Sequence, residues 1–128
     1  MDKKLIIFEM ANNHMGDVEH GKLIIEEFAK VKDEYPVFDY AIKFQLRHID
    51  TFIHPHFQNR TEIKYVKRFK ETELTQSELS SLKRFAESKG FIPICTGFDE
   101  RSVDTMESME FPIIKVASCS FTDWPLLN

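Results

Sequence analysis

Four short apolar runs constrain this chain more than any other feature. Leu5 to Phe8, Tyr40 to Gln45, Phe91 to Cys95 and Ile113 to Val116 are rich in β-branched and aromatic residues. Each is too short for a core helix and nearly continuous instead of alternating, the pattern of strands buried on both faces of a parallel sheet. Between them lie stretches of helical period. Gly21, Ile24, Ile25, Phe28 and Val31 predict an amphipathic helix over 17–32, with Asp17 placed to cap it. Thr75 followed by Glu78 is a capping box. Leu79, Leu82, Phe85 and Ala86 supply the apolar stripe behind it, and Lys89-Gly90 supplies the stop. A short helix is expected over 62–70, another over 100–109 from Val103, Met106 and Met109, and a last one from near Thr122. Residues 46–62 show no period and read as a long loop. Strands alternating with helices in this order predict an α/β fold over 1–128, a parallel sheet with right-handed crossovers.

Composition removes several function classes. With 42% apolar residues and only four Gly and five Pro, the chain is neither disordered nor collagen-like. Its 17 Lys and Arg against 21 Asp and Glu leave a net charge of −4, which draws neither nucleic acid nor an anionic membrane. No apolar run approaches the roughly 20 residues that cross a bilayer. The polar start Met1-Asp2-Lys3-Lys4 and its short apolar sequel do not make a signal peptide, so a cytoplasmic location is expected. Two cysteines make no disulfide framework; Cys95 and Cys119 are both expected as small buried side chains.

In parallel α/β folds chemistry sits at the carboxyl ends of the strands. The first strand is followed by Glu9 and then Asn12, Asn13 and His14; the second ends in Lys43 and Gln45. The third ends in Cys95 and Thr96, the fourth in Lys115, with Ser118 just beyond. A lysine inside an apolar strand loses hydration unless an anion meets it. Lys43 and Lys115, expected on neighbouring elements of one sheet, therefore point to a site for a phosphate or carboxylate, with Thr96 and Ser118 as neutral donors. The alternative is that each lysine pairs with Glu9 or reaches solvent. His14 stands near the same mouth, either to touch substrate or to fix its loop by a backbone hydrogen bond. His48, His54 and His56 share the long loop; with no carboxylate or thiol at a fixed spacing, they read as a solvated face and not as a metal site.

Ile6-Ile7-Phe8-Glu9-Met10-Ala11-Asn12-Asn13-His14-Met15-Gly16 resembles the opening motif of the sialic acid synthases. Ala41-Ile42-Lys43-Phe44-Gln45, Asn59 with Tyr65, Phe91 to Asp99, and Ile114-Lys115-Val116-Ala117-Ser118 resemble that family's later motifs, in its order and spacing. The resemblance spans nearly the whole chain. It implies that residues 1–128 are the amino-terminal half of a (β/α)8 barrel, with the remaining strands and an antifreeze-like domain outside this chain. It implies condensation of phosphoenolpyruvate with N-acetylmannosamine or a related acetamido sugar, giving a nine-carbon 2-keto acid. By matching motifs it makes Glu9, Lys43 and Lys115 catalytic, and gives substrate contacts to Asn59, Thr96, Ser118, His14 and Gln45. A divalent metal, Mn²⁺ or Mg²⁺, is implied, with ligands outside this chain. One position departs: two residues after the strand-end serine, where the family usually has glutamate, stands Ser120.

Two further expectations follow. Half a barrel leaves its first and fourth strands with an open ladder side each, so the chain alone should pair as a homodimer or aggregate. Ile42, Phe44 and Ile94 are expected on its open inner face. An alternative to the synthase is a non-catalytic half-barrel that binds anionic sugars or a partner chain, and a third reading is an aldolase with Lys115 as Schiff-base lysine.

Overall fold

Strand β1 (Leu5–Glu9) leads through a tight loop into α1 (Val18–Glu34), whose first turn is capped by the Asp17 carboxylate accepting the Glu19 and His20 N–H groups. Strand β2 (Asp39–Leu46) follows, then α2 (Ile49–Phe52), a 3-10 turn (Pro55–Phe57), α3 (Lys64–Glu71) and α4 (Gln76–Ser88). Strand β3 (Ile92–Gly97), α5 (Glu100–Ser108), β4 (Ile113–Lys115), a 3-10 turn (Ser118–Ser120) and α6 (Trp124–Leu127) complete the order. This computed structural model describes residues 3–128; Met1 and Asp2, the start of the polar leader to β1, lie outside the described residues.

The four strands form one parallel sheet in the order β1-β2-β3-β4, as the alternation of apolar runs and helices predicts. Phe8, Tyr40, Ile42, Phe44 and Cys95 point to the helical side and join Ile25, Leu79, Leu82, Ala86 and Met106 in the main core. The aromatic residues fill it by stacking: Phe8 lies 4.4 Å from Phe28, nearly parallel, and 5.7 Å from Tyr40. Helices α1 and α4 pack closely at Gly21, where a Cβ would come within 2.9 Å of the Leu82 side chain. Gly16, at φ +74°, brings the β1 loop against the end of α3: a Cβ there would stand 2.8 Å from the Glu71 carbonyl oxygen.

Four expectations need correction. Strands β1 and β4 are not buried on both faces, because each is an edge strand with one neighbour among the described residues, and Leu5, Ile6, Ile7, Ile113, Ile114 and Val116 are exposed. Residues 46–62 are not a plain loop: α2 and the 3-10 turn lie there, and Ile49 and Ile53 form a second core with Val66, Phe52 and Phe69. Ile42 and Phe44 do not open to the inner face, since the strand alternation turns both toward the helices. Ile94 does point to the other face but is buried, flanked in register by Lys43 and Ile113. Cys119 is exposed in the turn after β4, whereas Cys95 is buried as expected.

Candidate functional site

The face of the sheet opposite the helices carries the polar strand ends. Alternation along each strand places Glu9, Lys43, Gln45, Thr96 and Lys115 on it together. Glu9 is in register with Lys43, and the two form an ion pair. Gln45 is in register with Thr96, and Thr96 with Lys115. Lys43 and Lys115 are not on neighbouring strands, as the sequence suggested: β3 runs between them, which sets their backbones about 10 Å apart across the sheet, with Lys115 two residues further along in register.

The two lysines differ in surroundings. The Lys43 side chain is 16% exposed and held by Glu9, whose other oxygen accepts the Ala11 N–H at 3.2 Å. Lys115 is exposed and has no ion-pair partner among the described residues. Thr96 is buried between them at the floor of the cluster. Ser118 opens the 3-10 turn just beyond Lys115 and is exposed. Asn59 is exposed in the turn after Pro55–Phe57, and no hydrogen bond among the described residues ties it to the strand ends. The structure therefore gathers Glu9, Lys43, Gln45, Thr96 and Lys115 on one face, and leaves Asn59 outside that set.

His14 is buried, and its Nδ1 accepts the Gly16 N–H at 3.0 Å, which realises the loop-fixing reading of this residue. Burial lowers its pKa from the usual histidine value, with His20 adding to the shift, so the ring is neutral and able to accept. Ser120 is buried with its hydroxyl near the Cys119 sulfur. Burial pushes the Cys95 thiol up to about 12, which rules it out as a thiolate nucleophile at neutral pH. Among the described residues no three His, Cys, Asp or Glu side chains gather in a metal-binding group. The His54 ring instead accepts the His56 N–H at 3.2 Å.

Sequence reasoning missed a polar network at the same end of the sheet. Asp99 caps α5 by accepting the Ser102 N–H, and it also accepts the His48 N–H, both at 2.8 Å. The Ser102 hydroxyl donates to Asp99 at 2.8 Å, and His48 Nδ1 lies 3.1 Å from that hydroxyl. Arg47 sits beside this network, its guanidinium between the rings of Phe69 and Phe98 at 4.4 and 4.3 Å. Burial lowers its pKa from the ordinary arginine value, and Asp99 opposes that shift. The one signal in the sequence was an arginine directly after an apolar strand.

Residues 39–128 match the NeuB family. The chain is 37% identical over 123 residues to an uncharacterised protein of Methanocaldococcus jannaschii, covering 96% of this chain and 33% of that protein. It is 25% identical over 127 residues to the human N-acetylneuraminate-9-phosphate synthase, covering 96% of this chain and 34% of the synthase. Among solved structures, a Chromobacterium violaceum protein named for spore coat polysaccharide biosynthesis protein E superposes with a TM-score of 0.92 at 52% identity, over 98% of this chain and 37% of that one. The N-acetylneuraminic acid synthetase of Leptospira borgpetersenii, solved with citrate, superposes with a TM-score of 0.76 at 26% identity, over 99% of this chain and 40% of that one. The chain thus spans about a third of the length of the curated relatives it matches.

Proposed function

The chain belongs to the NeuB family, with four parallel βα units like those of the TIM-barrel sialic acid synthases, and from that premise we propose that it is the amino-terminal part of an enzyme condensing phosphoenolpyruvate with N-acetylmannosamine or a related acetamido sugar. The observation that carries this reading is the row of strand-end groups on one sheet face, Glu9 beside Lys43 and Thr96 beside Lys115. Phosphoenolpyruvate carries a phosphate and a carboxylate, and the two lysines that share this face, on β2 and β4, offer a cation to each. Lys115 and Thr96 bind one anionic group, with Ser118 as a further donor, and Lys43 binds the other. Charge-assisted contacts of this kind gain strength in a site from which water is excluded. Glu9, paired to Lys43, holds that lysine in place until substrate arrives.

In the proposed reaction the methylene carbon of phosphoenolpyruvate bonds to the sugar aldehyde carbon. Water adds to the resulting cation, and inorganic phosphate leaves as the 2-keto group forms. The divalent metal implied by the family resemblance finds no group of three or more ligands among the described residues, and we place its ligands outside this chain. A cytoplasmic enzyme of carbohydrate biosynthesis is the setting we propose.

The test is a product assay on the whole protein that carries this chain, with phosphoenolpyruvate, Mn²⁺ or Mg²⁺, and a panel of acetamido sugars and their phosphates. Release of phosphate matched by a nine-carbon 2-keto acid supports the reading. Absence of phosphate release with every sugar, from protein shown to be folded, overturns it.

A further inference from the structure

Arg47 is a cation at this end of the sheet to which the substrate site assigns no task. Phe52, Phe69 and Phe98 surround its guanidinium at 5.7, 4.4 and 4.3 Å, from α2, α3 and the loop after β3, so the planar group is clamped. Its terminal nitrogen Nη2 donates to Gln45 Oε1 at 3.0 Å. Its Nε is buried without a hydrogen-bond partner, and the residue borders a cavity of about 20 Å³, the size of about one water, lined in part by Asn12, His14 and Thr72.

A guanidinium only donates, so the Gln45 atom that meets it is the amide oxygen. That contact decides what the other end of the amide offers. Nε2 carries two donors, and no group among the described residues accepts from it. It is also absent from the fully buried polar atoms without partners, so it is not sealed off, and Gln45 borders the same small cavity as Arg47. Gln45 stands in register with Thr96, on the sheet face that carries Lys43 and Lys115. A free glutamine amide presents oxygen or nitrogen with equal ease, and an oxygen facing an anion repels it.

We propose that Arg47 is a positioning residue that fixes the Gln45 amide with its N–H donors toward the bound anion. The inference rests on the anion-site reading of the strand ends. It makes Gln45 a donor of one sense only, and it makes the aromatic clamp around Arg47 part of the substrate site without touching substrate.

The test is calorimetric titration of the whole protein with phosphoenolpyruvate, without sugar. Gln45→Glu is the first variant: glutamate has the same shape and still accepts from Arg47, so the melting temperature holds, but it turns a carboxylate to the anion. Its affinity is expected to fall by about 30-fold or more, the scale of a charged hydrogen bond lost. Arg47→Met is expected to weaken binding about five-fold in the wild-type background and less than about two-fold in a Gln45→Met background, because its effect passes through the amide. Equal losses in both backgrounds overturn the proposal, as does unchanged affinity in Gln45→Glu. Lys115→Met separates the two readings. If it weakens binding while Gln45→Glu does not, only the role of Arg47 fails; if wild type does not bind, or Lys115→Met binds as well as wild type, the anion site itself fails.

Discussion

Lys43 and Lys115 are the same residue in the same kind of apolar run, yet one meets Glu9 and the other meets solvent. Lys115 is therefore the lysine whose charge a ligand can use without displacing a protein partner. In the whole protein Lys115→Met should cut turnover with phosphoenolpyruvate by about 10- to 100-fold with little change in melting, the scale of one charge-assisted contact. Lys43→Met should cut it as far; steady-state kinetics matching wild type in both variants would make them structural residues. His14 supplies a second test at this scale. Burial holds its pKa below the usual 6.5, so the folded state keeps the ring neutral where the unfolded chain takes a proton. Its contribution to stability is complete above about pH 6.5 and is lost as pH falls below that toward the lower folded value. Denaturation midpoints should drop on acidification to about pH 5.5, and drop less in His14→Asn, whose side-chain oxygen still accepts the Gly16 N–H without titrating. The same slope in both proteins would remove His14 as its source.

Helix α4 shows how completely an element can be written in its own residues. Thr75 accepts the Glu78 N–H at 3.2 Å, and the Glu78 carboxylate accepts the Thr75 N–H at 2.7 Å, the two halves of the box. The Thr75 N–H, and the Thr75 hydroxyl donating to the same carboxylate at 2.8 Å, hold Glu78 below the usual carboxylate range. Thr75→Ala should cost about 1 kcal/mol in denaturant unfolding, the typical value of a lost N-cap; a loss within error of zero would mean that packing of Leu79 and Leu82 alone fixes the helix start. The segment 46–62 is the opposite case. Its α2 helix has no side-chain cap and only four residues, and it exists because Ile49, Ile53, Val66 and Phe69 bury one another. Without a local cap or a full helical period, such an element leaves no mark that a sequence reading can find.

On the scale of the whole sheet, the two outer strands are the exposed ones. Leu5, Ile6 and Ile7 of β1, and Ile113 and Ile114 of β4, leave apolar side chains open, and Phe121 and Trp124 beyond β4 are exposed as well. Each outer strand has one ladder side without a partner among the described residues. Unpaired, apolar edges of this kind recruit another chain. The 128-residue segment expressed alone should therefore dimerise or aggregate, and light scattering over a dilution series reads the outcome. A monodisperse monomer at every concentration would show that the four-stranded sheet satisfies its own edges.

The sequence alone determined the alternation of strands and helices, the parallel sheet, the capped starts of α1 and α4, and the residues placed at the strand ends. These are local properties, since apolar runs, helical period and capping pairs act within a few residues of one another. The motifs from Glu9 to Ser118 likewise made the family legible. Only the tertiary structure decided which strands are neighbours, and so that Lys43 pairs with Glu9 while β3 separates it from Lys115. It alone turned Ile42 and Phe44 toward the helices, exposed Cys119, and wrapped Arg47 in three phenylalanines from α2, α3 and the loop after β3. Those outcomes depend on residues up to about fifty positions apart meeting across the sheet, as His48 and Asp99 do, and burial of one against another is settled only when register and packing bring them together.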